Sequence, residues 1–145
     1  MLKFFYVIFM NFHRAPYLVP KMRYCADHPE KYSEKQRYSL VQQCIGYMNK
    51  SGKITTEAHG IENLPVSNGY MMYPNHQGKY DVLGIISTHK EPCSFVMDKN
   101  KSHTMLVREI CDLVQGKRLE KDNPRQGITI INQVANEVAN GRRYI

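Results

Sequence analysis

His76 and Asp81 stand five residues apart in the stretch Tyr73-Pro74-Asn75-His76-Gln77-Gly78-Lys79-Tyr80-Asp81. An imidazole that takes a proton from a hydroxyl needs a partner that fixes its tautomer and stabilises the cation that forms. His76 is the candidate general base and Asp81 the candidate orienting carboxylate. The plain alternative is a histidine that caps a helix and a solvated acid in its first turn. On a regular helix, residues five apart point roughly 140° away from one another. The two side chains can therefore meet only if the chain bends before a helix begins, and Gly78 permits such a bend.

The flanking segments must create that bend. Gly69 to Tyr73 reads as a buried strand that Pro74 ends, and Val82 to Ile86 as an apolar helix start. The pair is thus expected at a strand-to-helix turn, where α/β enzymes commonly keep their chemistry. Upstream, Ser33 with Gln36 forms a capping-box signature, and Leu40, Val41, Cys44, Ile45 and Met48 recur at helical spacing up to a helix end near Asn49 to Gly52. Lys53 to His59 alternates like a strand, with Ile54, Thr56 and Ala58 on one face, and Leu64 to Gly69 reads as a turn. Downstream, Cys93 to Met97 reads as a short strand. Ser102 is a candidate cap for a helix carrying Met105, Leu106, Ile110, Cys111 and Val114. A strand is expected around Lys117 to Glu120. Asn123-Pro124 then opens a helix whose apolar side holds Ile128, Ile131, Val134, Ala135 and Val138, with Gly141 at its C′ position. Alternating strands and helices predict an α/β layered fold.

At 145 residues the chain can bury one ordinary core. A net charge of +7 and a pI near 9.3 imply an anionic partner: nucleic acid, a phosphorylated substrate or an acidic membrane surface. The chain has no ribonucleoprotein-type motif, zinc-finger spacing or dense Lys/Arg run, which argues against nucleic acid. Cys25, Cys44, Cys93 and Cys111 form no C-x-x-C pair and are expected to be reduced. His13, His28, His59, His89 and His103 show no ligand spacing, so no catalytic metal is expected. Leu2 to Phe12 is apolar and aromatic but shorter than the about 20 residues that span a bilayer. Three readings stay open for it: an interfacial anchor, a buried packing helix, or a targeting segment. The expected organisation is an N-terminal apolar, membrane-interfacial segment over 1–31 and an α/β portion over 32–145.

Asn75-His76-Gln77 after a hydrophobic strand, with Gly60-Ile61-Glu62-Asn63-Leu64-Pro65 one strand earlier, resembles the glycerolipid acyltransferase family, the 1-acylglycerol-3-phosphate acyltransferases and their relatives. The resemblance runs from about Thr56 onward. It implies a glycerol-3-phosphate acyltransferase-like layered fold behind an N-terminal amphipathic helical segment. The implied reaction moves a fatty acyl group from acyl-CoA or acyl carrier protein to the hydroxyl of lysophosphatidic acid or a related glycerol phosphate, with His76 as base and Asp81 as its partner. No cofactor beyond the thioester co-substrate is implied. The implied setting is the cytoplasmic face of the cell membrane, as a peripheral protein. No Ser or Cys lies beside His76, which favours direct transfer over an acyl-enzyme intermediate.

Gly116 to Arg125 is similar to the family's second block, where an acidic-basic pair lies near the substrate phosphate. Here that pair is Glu120-Lys121, where many members end in arginine. Lysine neutralises a phosphate but lacks the planar fork of guanidinium. Lys117, Arg118, Lys121 and Arg125 are the candidate phosphate-binding residues, with Arg118 or Arg125 open as the source of the fork. The alternative is a solvated basic edge. The family's Phe-Pro-Glu-Gly block does not occur before Ile145. The chain is accordingly expected to be the N-terminal portion of a longer acyltransferase or a truncated copy, with the strand after Gly141 leaving an unpaired sheet edge. The alternative function is a non-catalytic, membrane-binding fragment.

Overall fold

The structure, a computed structural model, describes residues 2–66, 68–75, 78 and 80–145. Two helices, α1 (Leu2–Asn11) and α2 (Ala15–Asp27), are joined by a 3-10 turn and lead to α3 (Glu34–Gly52). Helix α3 starts as its sequence predicts. Gln36 N donates to Ser33 Oγ at 3.3 Å, and Ser33 N donates to Gln36 Oε1 at 2.8 Å, which satisfies two donors that the first turn would otherwise leave bare. Its stripe of Leu40, Val41, Cys44, Ile45 and Met48 is entirely buried.

Next come β1 (Tyr70–Met71), α4 (Asp81–Thr88), β2 (Cys93–Ser94), β3 (Val96–Asp98), α5 (Val107–Leu113), β4 (Lys117–Leu119), α6 (Pro124–Ala139) and β5 (Arg143–Tyr144). Strand β5 runs parallel to β1 on one side and β2 on the other, and β3 pairs in parallel with β4. Phe95 joins the two sheets. Just before it, the Ser94 carbonyl accepts from Ile145 N at 2.9 Å on the β5 side, and the Phe95 carbonyl accepts from Lys117 N at 2.9 Å on the β4 side. The run 93–98 therefore exchanges one neighbour for another, giving in effect four parallel positions ordered β1, β5, β2/β3, β4. Helices α4, α5 and α6 are the crossovers that parallel strands require.

The main core gathers Leu18, Met22 and Cys25 of α2, the α3 stripe, Ile86, Ile110, Cys111 and Leu113, together with Cys93, Phe95 and Ile145 from the sheet region. Val7 of α1 joins it. Val134 and Tyr144 are buried outside this cluster, under α6. Arg23 of α2 reaches Glu109, whose side chain is fully enclosed, through Nε at 2.9 Å and Nη2 at 2.7 Å. Leu106 N also donates to Glu109 at 2.6 Å. Burial alone would raise the Glu109 carboxyl, but these donors outweigh it and hold the group below its usual range. Leu106 itself sits at φ 74, a conformation that costs a non-glycine residue energy.

Several expectations need correction. Lys53 to His59 pairs with no strand among the described residues; alternation assigns side chains to two sides but supplies no ladder partner. The strand expected at Cys93 to Met97 splits at Phe95. Tyr73, expected within a buried strand, is 84% exposed, and β1 itself ends at Met71. Ser102 caps no long helix: it is buried in the 3-10 turn Asn100–His103, and α5 begins only at Val107. Asn123 Oδ1 does cap α6, accepting from Gln126 N at 3.1 Å, yet of the expected apolar stripe Val134 is buried while Ile128 and Ile131 are about 60% exposed. The strand after Gly141 is not an unpaired edge but the middle of the three-stranded sheet. Gly141, at φ 93, closes α6: its N–H donates to Val138 O at 3.0 Å and Arg142 N to Glu137 O at 2.9 Å, the paired bonds of a Schellman ending.

Candidate active site

Strand β1 delivers the chain to the edge where the parallel strands end. Met72 N still donates to Tyr144 O at 2.8 Å, and the residues that follow, Tyr73 to Asn75, are exposed. His76 lies outside the described residues. The bend expected at Gly78 is present: Gly78 N donates to Asp81 Oδ2 at 2.7 Å, and Asp81 N to Gly78 O at 3.4 Å. A Cβ on Gly78 would lie 3.2 Å from Asp81 Oδ1, so glycine lets the backbone approach the carboxylate. Asp81 is the first residue of α4, where the positive end of the helix dipole favours an anion.

Neighbouring elements hold the other end of α4, where it stops at Thr88. Tyr70 of β1 shares a 2.5 Å hydrogen bond with His89 Nε2 just beyond α4. Since His89 Nδ1 faces the Glu91 carbonyl at 2.5 Å, Nδ1 carries the proton and Nε2 accepts from the Tyr70 hydroxyl. From α3, Gln42 Nε2 donates to the carbonyls of Ile86 and His89 at 3.1 and 3.0 Å. The sequence singled out neither Tyr70, His89 nor Gln42 for this role, because contacts between distant segments leave no local spacing signal.

A groove of ≈ 590 Å³ opens beside Asp81, walled by Ile54, Thr56 and Ala58 on one side and by Tyr80, Gly84 and Ile85 on the other. A Cβ on Gly84 would lie 3.8 Å from Thr56 Cγ2, so Thr56 packs directly against α4. The volume suits a small organic ligand, and the walls mix apolar surface with a few polar groups.

The four candidate phosphate cations are not gathered in one place. Lys117 pairs with Glu137 of α6. Arg118 turns to the other face of β4, where Nη2 donates to Asp112 Oδ1 at 2.6 Å and Nε to Ser102 Oγ at 3.0 Å. Lys121 lies past the end of β4 with its ammonium 3.2 Å from Asp98, and that contact holds the Asp98 carboxyl below its usual range. Arg125 is the second residue of α6, exposed and without an ion pair among the described residues. Only Lys121 and Arg125 thus share the strand-end edge with Asp81.

Burial pushes the thiols of Cys44, Cys93 and Cys111 up to about 11, so they stay protonated at neutral pH and are poor nucleophiles. Among the described residues no group of three His, Cys, Asp or Glu side chains could hold a metal ion, and no helix is long and apolar enough to cross a membrane.

Comparison with known proteins adds a family. No curated protein and no solved structure gives a significant match. The family model described as Acyltransferase matches residues 55–145, from the groove wall through β5. That span includes Asp81 with its glycine-bound turn and more than half of the sequence, and by this match the chain belongs to the acyltransferase family.

Proposed function

We propose that the protein transfers a fatty acyl group from a thioester, acyl-CoA or acyl carrier protein, to the hydroxyl of lysophosphatidic acid or a related glycerol phosphate. The observation that carries this reading is the Gly78–Asp81 bond, which fixes a carboxylate at a strand-to-helix turn inside the family match. In the proposed reaction His76 takes the proton from the acceptor hydroxyl as its oxygen attacks the thioester carbonyl, with Asp81 orienting the imidazole. The C–O bond forms, the C–S bond breaks, and the proton passes from His76 to the departing thiolate. The protonated thiols favour this direct transfer over an acyl-cysteine.

Lys121 and Arg125 are the proposed contacts for the acceptor phosphate, since Lys117 and Arg118 are already neutralised within the fold. A cation in the first turn of α6 is opposed by the helix dipole. A bound phosphate would reverse that penalty and accept from the helix end as well. Phe9, Phe12 and Tyr17, all more than 60% exposed, support a peripheral role at a membrane surface, proposed to be the cytoplasmic face. They equally favour the second reading, a non-catalytic chain that only binds membrane.

Acyl transfer from both thioester donors to a panel of lysophospholipids tests the proposal. His76→Ala should lower turnover by about 10²–10⁴-fold and Asp81→Asn by less, with circular dichroism unchanged. Near-normal turnover by His76→Ala would overturn the catalytic assignment. Binding to anionic vesicles with no turnover for any donor and acceptor would favour the second reading.

A further inference from the structure

The edge where the strands begin holds a second cavity, of ≈ 420 Å³, lined by Glu34, Arg37, Gln115, Glu137, Asn140 and Arg142 among others. Gln115 precedes β4 and Arg142 precedes β5, so this cavity and the Asp81 turn lie at opposite ends of the sheet. Arg37, in the first turns of α3, is only 4% exposed, yet its Nε and Nη1 have no hydrogen-bond partner. A buried guanidinium normally meets a carboxylate or carbonyl, because desolvating an uncompensated charge is costly.

Both carboxylates that line the cavity already have cationic partners. Glu34 lies one turn before Arg37 on the same helix, yet its Oε1 accepts from Arg142 Nε at 3.1 Å. Glu137 accepts from Arg142 Nη1 and from Tyr144 Oη, each at 2.5 Å, and pairs with Lys117. The Val114 carbonyl and Gln115 Oε1 both take Arg142 Nη2. The cluster thus sets three cations, Arg37, Lys117 and Arg142, against two carboxylates, Glu34 and Glu137, and the unmatched charge falls on Arg37.

We infer that this cavity binds an oxyanion, a phosphate or carboxylate group on a small polar molecule, with Arg37 as its principal contact. Gln115 is the second donor: its oxygen is bound by Arg142, which leaves its amide N–H groups for the ligand. A single negative charge completes the cluster, and the volume exceeds that of a bare ion, leaving room for a small attached body. The site is separate from the proposed acceptor-phosphate contacts and does not depend on them.

Thermal melting of the 145-residue chain in sodium phosphate and in sodium acetate, each against sodium chloride at equal ionic strength, tests the inference. The wild type should show a saturable rise of a few degrees with at least one of the two probes. The phosphate and acetate arms distinguish the two ligand sources. Arg37→Met should abolish that rise, and Lys121→Ala, which alters the other end of the sheet, should keep it. Without added anion, Arg37→Met should melt at or above the wild type, since it removes a buried unpaired charge. Four results would each overturn the inference: no saturable rise in the wild type, an equal rise in Arg37→Met, loss of the rise in Lys121→Ala instead, or an Arg37→Met chain that melts far below the wild type because the guanidinium is satisfied within the fold.

Discussion

Where the strands begin, Glu137 is gripped by Arg142, Tyr144 and Lys117. Where they end, Lys121 reaches Asp98 from a side chain 68% exposed, and Arg125 pairs with nothing among the described residues. The first edge uses its charges to fasten helix α6 and the middle strand together. The second keeps Lys121 and Arg125 loosely committed. Charges bound into the fold stabilise it, whereas charges meant for a ligand must be left with capacity to spare, and one sheet can support both arrangements because its two edges share no loops.

Substitutions on the fastened edge should be the most costly to stability. Gly69 is packed so tightly that a Cβ there would lie 2.1 Å from Val138 O and 2.5 Å from Arg142 O. Both are backbone atoms that cannot rotate aside. Gly69→Ala should therefore destabilise the fold by about 3 kcal/mol, read from urea unfolding; a midpoint like that of the wild type would mean this edge is less rigid than described.

A smaller loss is expected for Glu137→Gln, about 2 kcal/mol at neutral pH, with a distinctive pH dependence. Burial by itself would raise this carboxyl, but hydrogen bonds from Lys117, Tyr144 and Arg142 bring it from 4.5 down to about 2. A group depressed on folding contributes stability above its unfolded value and loses it as pH falls through its folded value. The gap in melting temperature between wild type and Glu137→Gln should therefore be full above about pH 4.5 and shrink as pH falls toward 2. A gap that stays constant across that range would remove the ion pairs as its cause.

The smallest stability effect belongs to the open edge. Lys121→Ala should change stability by no more than about 0.5 kcal/mol, while raising KM for a phosphate-bearing acceptor more than for the thioester. If it destabilises the fold as much as Glu137→Gln does, the contrast between the edges fails.

What could be read in the sequence follows the same division between local and distant contacts. Ser33 with Gln36, Asn123 with Pro124, and Gly141 each act within four residues of themselves, and the structure shows all three in those roles. The turn at Gly78 was legible because glycine, proline and a change from strand to helix pattern coincide there. Ile54, Thr56 and Ala58 alternate as a strand would, but they line a groove beside α4 rather than a ladder, and alternation does not name a neighbour. The stripe on α6 resembles that on α3, yet α3 is enclosed by several helices whereas Ile128 and Ile131 stay exposed. For Lys117 and Arg118 the sequence gives the charge, and only the fold gives Glu137 and Asp112. Arg37 is distinguished by a missing partner, which no spacing reveals.

The place of β5 also bears on how the chain is made. It lies between β1 and β2 yet follows both in sequence, so neither flanking strand has its ladder partner until α6 has been synthesised. During translation β1 and β2 must wait with bare hydrogen-bonding edges, the condition that invites pairing with other nascent chains. Closing the sheet from a late central strand also makes the pairing non-local, which slows folding. The compact α3 helix, capped and striped by its own residues, can form well before that and shelter the unfinished sheet.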